Sequence, residues 1–133
     1  MDDVPLPPVP EVGPEGVPIG RAADLLGTTV DTIRYYEREG LTLTRPRRDP
    51  GGRRRYGRRD LAWLAGLAML RGTGMTIQEI REYVAAYRAD TGVAERLGLL
   101  EAHRDRVIAR LEETTRHLAA LERKIDAYRA ASA

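Results

Sequence analysis

From Leu97 to Tyr128 the chain repeats a position at alternating intervals of three and four: Leu97, Leu100, Arg104, Val107, Leu111, Thr114, Leu118, Leu121, Ile125 and Tyr128. All but Arg104 and Thr114 are apolar or aromatic, and no Gly or Pro follows Gly98. This period is the seam of a coiled coil, because a repeat of ~3.5 residues keeps one stripe of a helix facing a partner. A helix of ~35 residues spans roughly 50 Å, too long to bury its stripe on the small domain that the preceding residues can build. The spacing therefore predicts a dimerisation helix over 93–130 that pairs with a second copy. Leu97, Leu100, Val107, Leu111, Leu118, Leu121 and Ile125 are then its interface residues. The heptads do not specify strand orientation.

The 133 residues suffice for one modest domain plus that extension. No apolar run approaches the ~18 residues of a membrane span, and no basic segment followed by an apolar run marks a signal peptide. Cys is absent, which excludes disulfides, thiolate metal sites and thiol redox sensing. The expectation is a cytoplasmic protein with no cofactor. An enzyme is not expected: there is no nucleophile–base pair and no metal-ligand cluster, and "DPGGR" lacks the lysine of a phosphate-binding loop. His103 and His117 are expected on the outer flank of the long helix as surface residues, since a zinc site needs several convergent ligands.

Ahead of the seam, residues 1–17 hold Pro5, Pro7, Pro8, Pro10 and Pro14 and read as a disordered, partly extended tail. "IGRAADLL" at 19–26 reads as a short helix, ended by Gly27. Thr28 or Thr29 can cap the next helix, which runs to about Glu39 and stops at Gly40, with Leu41 folding back onto the core. Two short helices joined by a tight turn make a helix-turn-helix. "LTLT" and the turn signal "DPGG" then predict a short hairpin, or wing, within 42–57. A third helix over 58–71 carries Leu61, Leu64, Leu67, Ala68 and Leu70 inward, with Trp63 covering that core. "TIQE" opens a fourth, in which Thr76 and Glu79 have the spacing of a capping box. "RADTG" at 88–92 breaks the chain before the long helix.

Charge follows this division. The net charge is only +2, yet residues 45–59 contain eight Arg against Asp49 alone. Immediately before them, "TIRYYEREGL" sets Arg34, Tyr35 and Tyr36 side by side on the second helix. An aromatic-basic helix followed by a basic wing points to a polyanion, and Arg suits bidentate contact to phosphate or to guanine edges. For any single wing Arg, a solvated surface charge is the competing reading; it does not account for the joint pattern.

"TIRYYEREGL" at 32–41, "RRYGRRDL" at 54–61 and "LRGTGMTIQEI" at 70–80 together resemble the mercury-resistance regulator (MerR) family of bacterial transcription factors. The resemblance covers residues 18–88 by motif and the long helix by architecture. It implies a mainly α fold: a winged helix-turn-helix DNA-binding domain, a two-helix segment and a coiled-coil dimerisation helix. By position, Arg34 would reach base edges or phosphate in the major groove and Tyr35 would donate to phosphate. Thr29 and Thr32 would meet phosphate at the helix N-terminus. Arg54, with Arg47 as a second grip, would hold the flanking backbone or minor groove. Tyr56 completes the family's Arg-x-Tyr and either joins this contact or packs in the core, whereas Tyr36 packs inward. Arg53 stands where the family often has Tyr, and the segment from Gly40 to Tyr56 is a residue longer than usual.

Proteins resembling this chain bind pseudo-palindromes as homodimers within an overlong promoter spacer. They bend or untwist it so that RNA polymerase engages both promoter elements. Metal-sensing relatives use Cys near the end of the long helix, and none is present. A small organic effector, if one exists, would sit between the coil and helices three and four, lined by Trp63, Tyr83, Tyr87 or Tyr128. The competing reading makes these ordinary core and interface aromatics, in a regulator without an effector. Two other functions compete: an architectural or excisionase-like DNA-bending protein, and a coiled-coil protein-interaction module whose Arg cluster meets an acidic partner.

Overall fold

The computed structural model describes residues 9–43, 47–89 and 92–133. The first half of the Pro-rich tail, Arg45 in the wing segment, and Asp90 and Thr91 of the predicted break lie outside the described residues. The chain forms two compact units, divided between Thr91 and Gly92. Among the described residues no helix is long and apolar enough to cross a membrane.

In the first unit, α1 (Ile19–Leu26) buries Ala22 and Ala23. It ends as glycine allows: Gly27 has φ 65°, and the N–H groups of Gly27 and Thr28 return to the carbonyls of Asp24 and Ala23 at 3.2 and 3.0 Å. Helix α2 (Val30–Arg38) starts at Thr29, whose hydroxyl accepts from the Thr32 N–H at 3.1 Å. It turns Ile33 and Tyr36 into the core. Gly40, at φ 70°, repeats the closing motif, with the Leu41 N–H on the Tyr36 carbonyl at 2.9 Å, and so delivers Leu41 to the interior at 1% exposure.

The wing is an antiparallel pair, β1 (Arg47–Arg48) and β2 (Arg54–Arg55), in the register Arg47↔Arg55 and Arg48↔Arg54. Its turn is held at Asp49. The Asp49 carbonyl accepts from Gly52 at 2.9 Å, and its carboxylate accepts from the Arg53 N–H at 2.9 Å. Helix α3 (Arg58–Gly72) opens with the Gly57 N–H on the Asp60 carboxylate at 2.9 Å and buries Leu61, Leu64, Ala65, Leu67 and Leu70. Helix α4 (Ile77–Ala89) opens with the expected capping box: Thr76 and Glu79 exchange backbone-to-side-chain bonds, both 3.1 Å. Half-buried Trp63 donates its indole N–H to the Leu41 carbonyl at 2.8 Å. Its ring stacks on Tyr83 at 6.2 Å and meets Tyr87 edge-on at 4.9 Å. Arg81 reaches back from α4 to the carboxylate and carbonyl of Glu39, fixing the end of α2.

The expected disorder of residues 1–17 does not extend to its second half. Val17 forms an antiparallel bridge with Tyr56, and the Pro14, Glu15 and Gly16 carbonyls accept hydrogen bonds from wing arginines. Composition hides this, because the acceptors are main-chain carbonyls, which every residue carries.

The second unit is one helix, α5 (Val93–Ala131), 39 residues long and hence about 58 Å. Along it Leu97, Leu111, Leu118, Leu121, Ile125 and Tyr128 stand exposed, Leu111 at 65%, while Leu100 and Val107 are half-buried. His117 is exposed as expected, but His103 is buried; spacing along a helix carries no sign of that for a residue type of intermediate burial.

Candidate nucleic-acid interface

The geometry of α2 separates its side chains by face. Ile33 and Tyr36 point inward, leaving Arg34 and, one turn later, Arg38 exposed on the other side. Tyr35 is half-buried beside Tyr36, ring centroids 6.1 Å apart and tilted by 52°. At the start of the helix the Thr29 and Thr32 hydroxyls lie 2.9 Å apart, forming a short polar pair on the first turn.

The wing is sorted by its period of two, which sends neighbouring side chains to opposite faces. Arg48 and Arg54 turn one way, and with Arg53 they line a cleft of about 980 Å³ shared with Arg34, Arg38 and Arg88. Six arginines and Glu37 are among the residues that line this concavity, an excess of positive charge that concentrates a positive field there. Glu37 is nearly buried, its side chain 11% exposed. It pairs with Arg54 through one oxygen and accepts the Tyr56 hydroxyl on the other. Arg48 folds over the turn, donating to the Gly52 carbonyl at 2.6 Å. Arg88 donates to the Thr42 carbonyl, which joins α4 to the same rim.

Of the residues singled out from sequence, Arg34 and Arg54 come together in this cleft, and Thr29, Thr32 and Tyr35 lie along the same helix. Arg47 and Tyr56 do not line the cleft. Arg47 shares the opposite face of the wing with Arg55, and its guanidinium donates to the Pro14 carbonyl at 2.8 Å; strand alternation makes Arg48, not Arg47, the companion of Arg54. Of the two readings for Tyr56, the structure takes the core: it is 1% exposed, with its hydroxyl on Glu37. Burial pushes the phenols of both Tyr36 and Tyr56 above the ordinary value of 10.0, so both stay neutral near pH 7. Sequence reasoning missed Arg38, Arg48 and Arg53. The first two carried a signal, since Arg38 follows Arg34 by one helical turn and Arg48 pairs with Arg54 once the hairpin register is set. Arg88 carried none, because only the packing of α4 brings it to the rim.

An exposed helix face and a short wing, both arginine-bearing and flanking one open cleft, can accept a phosphate backbone beside a groove. Residues 17–87 match the MerR HTH family regulatory proteins. An uncharacterized HTH-type transcriptional regulator of Haemophilus influenzae is 36% identical over 114 residues, covering 85% of this chain and 84% of its own length. Among solved structures, HiNmlR, a MerR family regulator lacking the sensor domain and bound to promoter DNA, superposes with a TM-score of 0.77 at 33% identity. That match covers 87% of this chain and 92% of HiNmlR. A putative MerR family transcriptional regulator from Listeria monocytogenes follows with a TM-score of 0.75 at 33% identity, over 85% of this chain and 86% of that one. With the family match spanning the helix-turn-helix, the wing, α3 and nearly all of α4, this chain belongs to the MerR family of helix-turn-helix regulatory proteins.

Proposed function

We propose that the protein is a cytoplasmic, sequence-specific transcriptional regulator that binds promoter DNA as a homodimer and acts by bending or untwisting an overlong spacer for RNA polymerase. The observation that carries this reading is the shared cleft: Arg34 and Arg38 of the recognition helix and Arg48, Arg53 and Arg54 of the wing line one concave surface. Arg34 reads base edges, Tyr35 and the Thr29–Thr32 pair hold the backbone at the centre, and the wing arginines hold the flank. Gripping centre and flank at once is what lets a small head deform DNA, since deformation needs two separated points of purchase.

The homodimer is supported by α5. Its exposed Leu97, Leu111, Leu118, Leu121 and Ile125 recur at seam spacing, and pairing two such helices removes them from water. A two-fold pair of heads then matches a two-fold DNA site.

The test is a footprint of the purified protein on its own upstream region at two salt concentrations. The expected result is protection of a pseudo-palindrome inside an overlong promoter spacer, weaker at high salt and lost at its centre in Arg34→Ala. Failure to protect that region or to enrich any sequence from random DNA, at concentrations where the dimer is verified, would refute the proposal.

A further inference from the structure

We infer that residues 9–16 are a splint for the wing, and that Arg55 is the positioning residue through which the splint acts. The inference rests on the DNA-binding reading above. The family match begins at residue 17, so this arm precedes the shared domain. The wing it touches is two residues per strand, and a two-stranded ribbon is marginal by itself even at greater length.

The arm extends a contact that the shared domain itself begins at Val17. Val17 and Tyr56 exchange backbone hydrogen bonds at 2.9 and 2.7 Å, adding a bridge beside β2. Just before it, Arg55 donates from Nε to the Glu15 carbonyl at 3.2 Å and from Nη2 to the Gly16 carbonyl at 2.8 Å. Arg47, on the same face of the hairpin, donates to the Pro14 carbonyl at 2.8 Å. Gly16 makes the close approach feasible: it is buried with φ +70°, and a Cβ there would lie 2.7 Å from the Tyr56 carbonyl oxygen. The chain has been shaped to lie against this strand.

The division of labour follows from alternation. Guanidinium groups on one face of the hairpin hold the arm, while Arg48 and Arg54 on the other face line the cleft. The arm also continues through Val17 and Pro18 directly into α1, so the segment that braces the wing is covalently tied to the helix-turn-helix. Wing and recognition helix thereby keep a fixed angle, which a DNA-bending grip requires. The contacts run to main-chain carbonyls, so the arm's carboxylates contribute little; Glu11 stands 3.8 Å from Arg58 between well-exposed side chains. The rival idea, that the arm competes with phosphate for the wing, predicts the opposite sign.

The experiment uses the full chain and a DNA site that the wild type has selected from random sequence. It compares wild type, Arg55→Met, Arg55→Lys, Gly16→Ala and, as a control, Arg34→Ala, by hydroxyl-radical footprint and by titration at several salt concentrations. Arg55→Met keeps the apolar stem and removes the donors; Gly16→Ala pushes the arm off by another route. Both are expected to bind about three- to tenfold more weakly, to lose protection at the two flanks while keeping it at the centre, and to show a shallower salt dependence. Arg55→Lys should recover part of the flank. Arg34→Ala should instead lose the centre. The inference is overturned if both variants footprint like wild type, if they bind more tightly, or if centre and flank fade together. A wild type that selects no DNA would refute the underlying function as well, which separates the two failures.

Discussion

Tyr56 and Glu37 meet side chain to side chain: the buried phenol at the end of the wing donates to one carboxylate oxygen of the recognition helix, whose other oxygen holds Arg54. A single acidic residue thus joins the two elements that flank the basic cleft. Glu37→Ala would leave a buried hydroxyl without its acceptor and a guanidinium without its counter-ion. The expected loss is about 2–3 kcal/mol of unfolding free energy, measured by urea denaturation. Tyr56→Phe, which keeps the ring and the Arg54 pair, should lose only about 1 kcal/mol.

Arg34 and Arg48 should fail differently on DNA. With Arg34 reading base edges as proposed, Arg34→Ala is expected to cost about 1–3 kcal/mol of binding and to relax sequence preference. With Arg48 on the DNA backbone as proposed for the wing arginines, Arg48→Ala should weaken binding across all sequences while the salt slope falls by about one. Both side chains are exposed, and neither change should move folding stability by more than about 0.5 kcal/mol. Gel-shift titrations over a salt series, on matched and mutated sites, separate the two cases.

The raised phenols of Tyr36 and Tyr56 predict an alkaline limit. Burial disfavours their charged forms, so the folded pKa exceeds the unfolded value of about 10. For such groups the stabilising difference is complete below the unfolded pKa and is lost as pH rises through the folded one. Stability should therefore be insensitive to these groups below about pH 9 and fall above pH 10. Tyr56→Phe should flatten part of that fall, as read from thermal midpoints against pH.

The exposed leucines of α5 give a further test. Leu118→Glu together with Leu121→Glu places two charges on the seam, where a paired helix would have to desolvate them. The expected outcome is a monomer by sedimentation equilibrium, with the head still folded by near-UV circular dichroism. A variant that stayed dimeric would remove the coil as the pairing element.

How much of this was legible in the sequence depends on the range of the interaction. Helix limits, the glycine stops at 27 and 40 and the capping box at Thr76–Glu79 were readable, because caps and periodicity act over a few residues; the inward Tyr36 came with the family resemblance. The turn at Asp49 was readable for the same reason. Which of Arg47 and Arg48 shares a face with Arg54 was not legible, because the register of a two-residue strand is fixed by backbone pairing, and one residue of slip exchanges the two faces. The role of Glu37 was invisible, since its partners lie in a wing that folding brings back to the helix. The ordered arm was hidden behind its prolines: composition speaks of backbone stiffness and not of which carbonyls an arginine will find.

Trp63, the chain's one tryptophan, has its indole N–H on the carbonyl of Leu41, just beyond the recognition helix, and its ring among Tyr83 and Tyr87. The protein therefore carries a native fluorophore at the joint between the DNA-reading helix and the two helices that buttress it. Its emission can report the state of that joint without any attached label, and a red shift there would mark loosening at the base of the recognition helix.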